Sequence, residues 1–286
     1  MAKAMNIQDF FKQFPDDDAC LDHLFHSRYG SEPVCERCGV IGDFKRLSNM
    51  PAYTCNCGHH IHPMAGTPFE RSRTPLQKWY YAMFLFTTTR NGVSAKEIQR
   101  QLGVTYKTAW RIAFKIREYM GQVDGNDRLG GGGALVEADK AYIGGKDKKG
   151  AEDKTIVLGM VERNGKVMTK IVRNRSGIVV SGSVADAVKR DSWIATDEGP
   201  AFLKLSDHGF KHTSVNHRKG EYVRGSTHTN TIEGFWSWLK RGIYGTHVWV
   251  SPKHLPTYLG EFEFRFNLRK RGELMFPILL ASFPKP

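Results

Sequence analysis

Long apolar runs are missing from this 286-residue chain; the most apolar stretch, WYYAMFLF at 79–86, has eight residues. A bilayer-spanning helix needs about 20, so membrane insertion is not expected. The opening MAKAMNIQDFFKQFPDDDAC has no continuous apolar core, which argues against an export or transit segment and leaves the cytoplasm as the default. Negative charge is also scarce. Against 42 Lys+Arg stand 29 Asp+Glu, a formal net charge of +13. That imbalance points to a polyanionic partner, nucleic acid or an acidic surface. Between 210 and 286 there are 12 basic and 5 acidic residues, a local balance of +7. Cysteine is limited to five positions, four of them within 35–57. Without an export signal, such grouping favours metal over disulfides. No internal repeat is evident, and 40% apolar with 25% charged residues is the composition of a folded chain.

The length suits two domains, or one catalytic domain with a smaller appendage. Residues 7–28 read as a helical lead-in with Cys20 in its apolar set. Thr74 and Pro75 read as the N-cap and first position of a helix over the apolar run. In SAKEIQRQLGVTYKTAWRIAFKIREYM, Ser94 and Glu97 form a capping box, Gly103 breaks the pattern and Thr105 can cap a second helix. Ala109, Ile112, Ala113 and Ile116 then make one buried stripe. GQVDGNDRLGGGGA (121–134) reads as a linker. Beyond it strands begin: LVEADKAYI, then TIVLGMVE and KVMTKIVR around RNGK, whose Asn164-Gly165 pair signals a type I′ hairpin. A helical segment, the strand SWIATDEG, a helix near PAFLKL, a strand at KHTSVNH and a late helix complete a mixed α/β domain.

Cys35 and Cys38 form a Cys-x₂-Cys couple, and after sixteen intervening residues Cys55 and Cys57 form a Cys-x-Cys couple. Two thiolates on each of two tight turns make the four-sulfur cage of a structural zinc ribbon. His59, His60 and His62 follow closely and could replace one cysteine. The helix pair after it suits a helix-turn-helix, whose second helix would present Thr105, Tyr106, Lys107 and Arg111 to DNA. A plain helical hairpin needs the same glycine and stripe; the basic charge favours DNA.

Asp139 lies on the first strand of the α/β domain, Asp197 at the end of the fourth, and Glu233 in the following helix. Ribonuclease-H-like folds bring carboxylates together from those elements. Hard oxygen ligands suit Mg²⁺ or Mn²⁺, and two such ions can serve in-line displacement at phosphorus. Glu137 shares a strand face with Asp139, so spacing does not decide which acid takes metal. At about 100° per residue, Ile232, Trp236, Leu239 and Ile243 fall on one face of the late helix. Glu233 and Lys240 align along its flank, a pair for a cleft edge or merely two solvated residues. Trp236 and Trp238 read as packing residues, FEFRFNLRKR as a final amphipathic helix with a basic tail, and Arg265, Arg269, Lys270 and Arg271 as candidate phosphate contacts.

VEADKAYIGGK, ATDEG and HTNTIEGFWSWLKRGIYG…EFEFRFNLR resemble bacterial insertion-sequence transposases of the DDE type, in the ISXO2-like group with an N-terminal zinc ribbon. YTCNCGHHIHPMAGTPFERSRTPLQKWYYAMFLF is similar to the ribbon and the segment after it. The resemblance implies that Asp139, Asp197 and Glu233 are the metal-binding catalytic triad, and that Lys240, with Arg241 beside it, touches DNA. It implies cleavage at the element's terminal inverted repeats and transfer of 3′-hydroxyls to target DNA, with Mg²⁺ or Mn²⁺ and structural zinc. Joining two ends calls for a homo-oligomer in a cytoplasmic, nucleoid-associated complex. In this group an acid often follows the first aspartate, where Lys140 stands here, and the Cys-x-Cys couple is one residue short. The expected organisation is therefore a lead-in and zinc ribbon at 1–72, a helix-turn-helix-like region at 73–120, the linker at 121–134, and a ribonuclease-H-like α/β catalytic domain at 135–286. Two other readings are a ribonuclease-H-like nuclease that cuts without joining, and a non-catalytic DNA-binding regulator.

Overall fold

The computed structural model describes residues 4–144, 154–197, 199–215 and 228–284. The chain forms two compact units, Met1–Tyr119 with Lys270–Pro286, and Met120–Arg269. Among the described residues no helix is long and apolar enough to cross a membrane.

In the first unit the lead-in is two helices, α1 (Ile7–Gln13) and α2 (Asp17–Tyr29), because Pro15 and a fresh cap at Asp16 interrupt it. Cys20 is fully buried on α2. Three short strands follow, β1 (Phe44–Arg46), β2 (Tyr53–Cys55) and β3 (His60–Ile61), paired antiparallel in that order. Helix α3 (Leu76–Thr88) buries Trp79, Tyr80 and Phe86. Its first helical residue is Leu76, and Pro75 occupies the N-cap without a side-chain bond, so Thr74 does not cap it as expected. Helices α4 (Ala95–Leu102) and α5 (Tyr106–Asp124) flank Gly103, whose φ of 60° closes α4 in the left-handed region. Ser94 accepts from the Glu97 amide, but the Glu97 carboxylate turns to Arg100 and Gln101, so the capping box is one-sided. Thr105 caps α5 through the Thr108 amide, and Ala109, Ile112, Ala113 and Ile116 are all fully buried.

The second unit is a mixed five-stranded sheet: β4 (Leu135–Ile143), β5 (Thr155–Glu162), β6 (Val167–Val172), β7 (Trp193–Asp197) and β8 (Lys211–Val215), in the order β6-β5-β4-β7-β8. The β4–β5 and β5–β6 pairs are antiparallel; β4–β7 and β7–β8 are parallel. One face packs on α6 (Gly177–Ala187) and a 3-10 segment at Pro200–His208, through Val136, Ala138, Leu158, Val184 and Phe202. The other carries α7 (Asn230–Arg241) and α8 (Leu255–Asn267), through Ala141, Val157, Ile232, Trp236 and Phe262. A last helix, α9 (Met275–Ala281), belongs to the first unit.

Two local readings change. The run Gly130–Gly133 is tied to the sheet unit: the amides of Gly130, Gly131 and Gly132 donate to Glu162, Ser192 and Asp191. A Cβ at Gly130 would lie 2.3 Å from the Ser192 hydroxyl. At the β5–β6 hairpin only Asn164 takes a positive φ, 62°. A type I′ turn needs it at both central positions, so this is a longer loop closed by the Gly165 amide on the Glu162 carbonyl.

Candidate active site

Strand β4 turns Val136 and Ala138 toward the α6 core and carries Glu137 and Asp139 on the face covered by α7, since residues two apart share a face. Glu137 is fully buried. Its Oε2 accepts from the amides of Thr231 (2.8 Å) and Ile232 (3.1 Å). Its Oε1 accepts from the Thr231 hydroxyl (2.9 Å) and the Arg163 guanidinium (3.2 Å). The first amides of a helix have no partner within it, and at α7 no side chain of the helix's own cap supplies one. Glu137 does so from the sheet. Its negative charge also faces the positive end of the helix dipole. Glu137 is thus occupied in anchoring α7, whereas Asp139, two residues on along the same face, takes no part in capping the helix.

Asp139 is half-buried. The pairing of Ala138 with Thr196 puts it beside Asp197, the last residue of the neighbouring parallel strand. Glu233 sits exposed in the first turn of α7, where the buried Thr229 hydroxyl donates to its Oε1 at 2.8 Å. Burial pushes the Asp139 carboxyl up to about 6, and the nearby charges of Asp197 and Glu233 act in the same direction. The Lys140 amide and the Trp236 indole, which donates to Asp139 Oδ2 at 3.1 Å, pull the other way. Of the three acids, Asp139 therefore senses the other two. The three remain more open than the thiols described below, the one set of ligating atoms within 4.8 Å of each other among the described residues.

Two features fit this cleft to a cation. Asp197 Oδ1 is buried without a hydrogen-bond partner, a costly state for an acceptor unless something else engages it. At Gly199 a Cβ would lie 3.1 Å from that oxygen and 3.4 Å from Lys140 Nζ, so the missing side chain keeps the space beside Asp197 open.

Trp236 does more than pack. A Cβ on Gly159, the β5 partner of Asp139, would lie 2.4 Å from Trp236 Cζ2 and 2.8 Å from Ile232 Cδ1. Glycine at that position lets the indole lie flat on the sheet and reach Asp139. A glycine inside a strand signals such a close approach, and this was the clue in the sequence. Trp238 packs edge-on against Phe262 at 4.8 Å between ring centres. Lys240 is half-buried and Arg241 exposed in the last turn of α7. In the first unit Lys107 and Arg111 are exposed on α5.

The four thiols of the ribbon converge: Cys35 and Cys57 Sγ are 3.6 Å apart, as are those of Cys38 and Cys55. Tetrahedral zinc with Zn–S bonds of about 2.3 Å places sulfurs about 3.8 Å apart, so this cluster fits structural Zn²⁺. Cys57 supplies the fourth sulfur despite its short couple, and none of the three histidines joins the group.

Comparison with known proteins agrees with both halves. Residues 15–60 match the family model of the transposase zinc-ribbon domain, and residues 128–267 that of the ISXO2-like transposase domain. An uncharacterized protein in the transposable element ISH50 of Halobacterium salinarum is 27% identical over 279 residues, covering 89% of this chain and 87% of the relative. An uncharacterized transposase-like protein of Haemophilus influenzae is 29% identical over 102 residues, 36% of this chain and 81% of the relative. With its zinc ribbon and its α/β domain each matched in order, the chain belongs to the ISXO2-like transposases of insertion sequences.

Proposed function

We propose that the protein binds the terminal inverted repeats of its element, cleaves at the ends and transfers the 3′-hydroxyls to target DNA, with Asp139, Asp197 and Glu233 as the catalytic carboxylates. The observation that carries this reading is the position of Asp139 and Asp197 on adjacent parallel strands, with α7 packed on the first of them and Glu233 close enough to raise the Asp139 carboxyl. The sheet order, counted within the unit as third-second-first-fourth-fifth with the second strand antiparallel, supports a ribonuclease-H-like fold.

Asp139, Asp197 and Glu233 would hold Mg²⁺ or Mn²⁺. A pair of such ions, when bound, supplies activation of an attacking oxygen and stabilisation of the leaving one. The chain's own residues do the rest. Trp236 orients Asp139, Thr229 orients Glu233, and Glu137 fixes the helix that carries Glu233. Lys240 and Arg241 at the far end of α7, and Lys107 and Arg111 on α5, would neutralise phosphates, making binding fall steeply with salt.

The test is Asp197→Asn in a cleavage assay on duplexes carrying the ends of the encoding element. Loss of Mg²⁺-dependent cleavage with DNA binding retained is expected; cleavage at the wild-type rate would remove Asp197 from the site. Pre-cut ends separate a transposase from a nuclease, since only the former joins them to a target duplex. A non-catalytic regulator would bind those ends and leave them intact.

A further inference from the structure

Past the carboxylates, α7 continues along β4. Its start is held at Glu137, its middle touches Asp139 through Trp236, and the Tyr244 hydroxyl donates to the carbonyl of Gly144 at 3.3 Å, just beyond the strand's end. The chain then leaves a π-helical turn at Gly242–His247 and makes an unusual reversal. Val248 has φ 65° and ψ −50°, and the Trp249 amide donates to the His247 carbonyl at 2.7 Å. This is a γ-turn of the rare strained kind, and its central residue is β-branched, the type least suited to positive φ.

The reversal is held from both sides. Ile243 and Val250 are buried in the core under α7, and the His247 ring packs edge-on against Tyr258 at 4.8 Å. What the anchored turn displays is apolar: Val248 is 72% and Trp249 59% exposed. A turn that is strained and also exposes two large apolar side chains is disfavoured twice over, which is the pattern of a functional element. Around it the chain has no acid from 234 to 260, while Lys240, Arg241 and Lys253 lie in that span. Two side chains are far too few for the roughly 800 Å² per partner of a stable protein interface. An exposed indole in a stretch of chain with three Lys or Arg residues and no acid matches a nucleobase and its phosphates.

We propose that Trp249, on the turn anchored by Ile243 and Val250, is a stacking platform for an unpaired base of the DNA end handled by this unit. The proposal rests on the DNA-processing function given above and adds to it a nucleobase site outside the carboxylate cleft. At 1.5 Å per residue, the helical path from Glu233 to Tyr244 spans roughly 16 Å, about five nucleotides of one strand at 3.4 Å each. A base at the tip, five residues beyond Tyr244, would belong to the same DNA end that the carboxylates address.

The experiment uses the full-length zinc-loaded protein and two probes of one sequence: a blunt duplex, and the same duplex with a short 3′ overhang carrying 2-aminopurine. The wild type should prefer the overhang probe and quench the 2-aminopurine by stacking. Trp249→Ala should weaken overhang binding on the order of ten-fold and abolish the quenching, with blunt-duplex affinity unchanged. Trp249→Phe should keep most of both. If Trp249→Ala retains the preference and the quenching, the proposal is wrong. It is equally wrong if that variant leaves DNA binding alone and changes the association state in sedimentation, which would make the tip a protein contact. Wild-type binding to blunt duplex without overhang preference overturns the stacking site alone, whereas failure to bind either probe overturns the DNA-processing reading with it.

Discussion

Glu137 offers the sharpest test of how the site is built. Its carboxylate accepts two amides at the start of α7, and the Arg163 guanidinium lies 3.2 Å away. Replacing it by alanine uncaps the helix, a loss of about 1 kcal/mol. It also breaks a buried charge pair, for which about 3–5 kcal/mol is usual. The Arg163 side chain is 24% exposed, so water partly compensates and the pair term falls below that range. A total of about 3 kcal/mol follows. For a unit of about 150 residues, at about 2–4 °C per kcal/mol, melting should drop by about 6–12 °C. Glu137→Gln keeps the shape and one acceptor oxygen and should lose about 1–2 kcal/mol. Calorimetric titration with Mn²⁺ then separates positioning from ligation. Glu137→Gln should bind Mn²⁺ nearly as the wild type does, whereas Asp139→Asn should not. A Glu137→Gln protein that melts like the wild type but has lost Mn²⁺ binding would refute the anchoring argument and make Glu137 a ligand.

Gly159→Ala places a methyl 2.4 Å from the Trp236 ring; it should destabilise by about 1–3 kcal/mol and lower cleavage further by moving the indole off Asp139. Cleavage measured at matched folded fraction checks this, and undiminished activity would show that the indole contact is dispensable. Metal analysis should show tightly held zinc in the wild type and its loss in Cys57→Ala; zinc retained by the variant through dialysis against a mild chelator would mean a histidine takes its place. Burial pushes the Glu263 carboxyl up to about 8, and Asp124, in the same unit, up to about 6. Both hold protons in the folded state that they release when unfolded, so their contribution is full below about pH 4 and is lost as pH rises to about 8. Melting temperature should therefore fall across that window, and Glu263→Gln should flatten the upper part; an unchanged profile would exclude Glu263 as its source.

The features legible in the sequence were those whose cause is local. Four thiols on two close couples needed only turn geometry to become a cluster. The α7 face of Ile232, Trp236, Leu239 and Ile243 needed only helical periodicity, and all four are buried. Which strand or helix each acid of the proposed triad occupies followed from the alternation of patterns. The division of labour on β4 did not. Glu137 and Asp139 look alike along the strand, and what separates them is the arrival of Thr231 and Ile232 from far along the chain. The Asn-Gly signal predicted a hairpin but not its turn, because the longer loop needs positive φ only at Asn164. Nothing in the local pattern of THVWV announces a strained valine; its conformation goes with the burial of Ile243 and Val250 on either side, which the local pattern does not show.

The bond between Glu137 and Thr231 has a mechanical consequence. Along the covalent chain, Asp139 and Glu233 are separated by 94 positions, and any error in placing one relative to the other would accumulate over that path. Through the Glu137–Thr231 bond, the path is two residues of β4, one hydrogen bond and two residues of α7. The intervening chain is thereby released from dimensional control: it can change in length without moving one carboxylate against the other, provided this short bridge is kept. Transplanting the three acids to another sheet without Glu137 would carry over the chemistry but lose the gauge that sets their spacing.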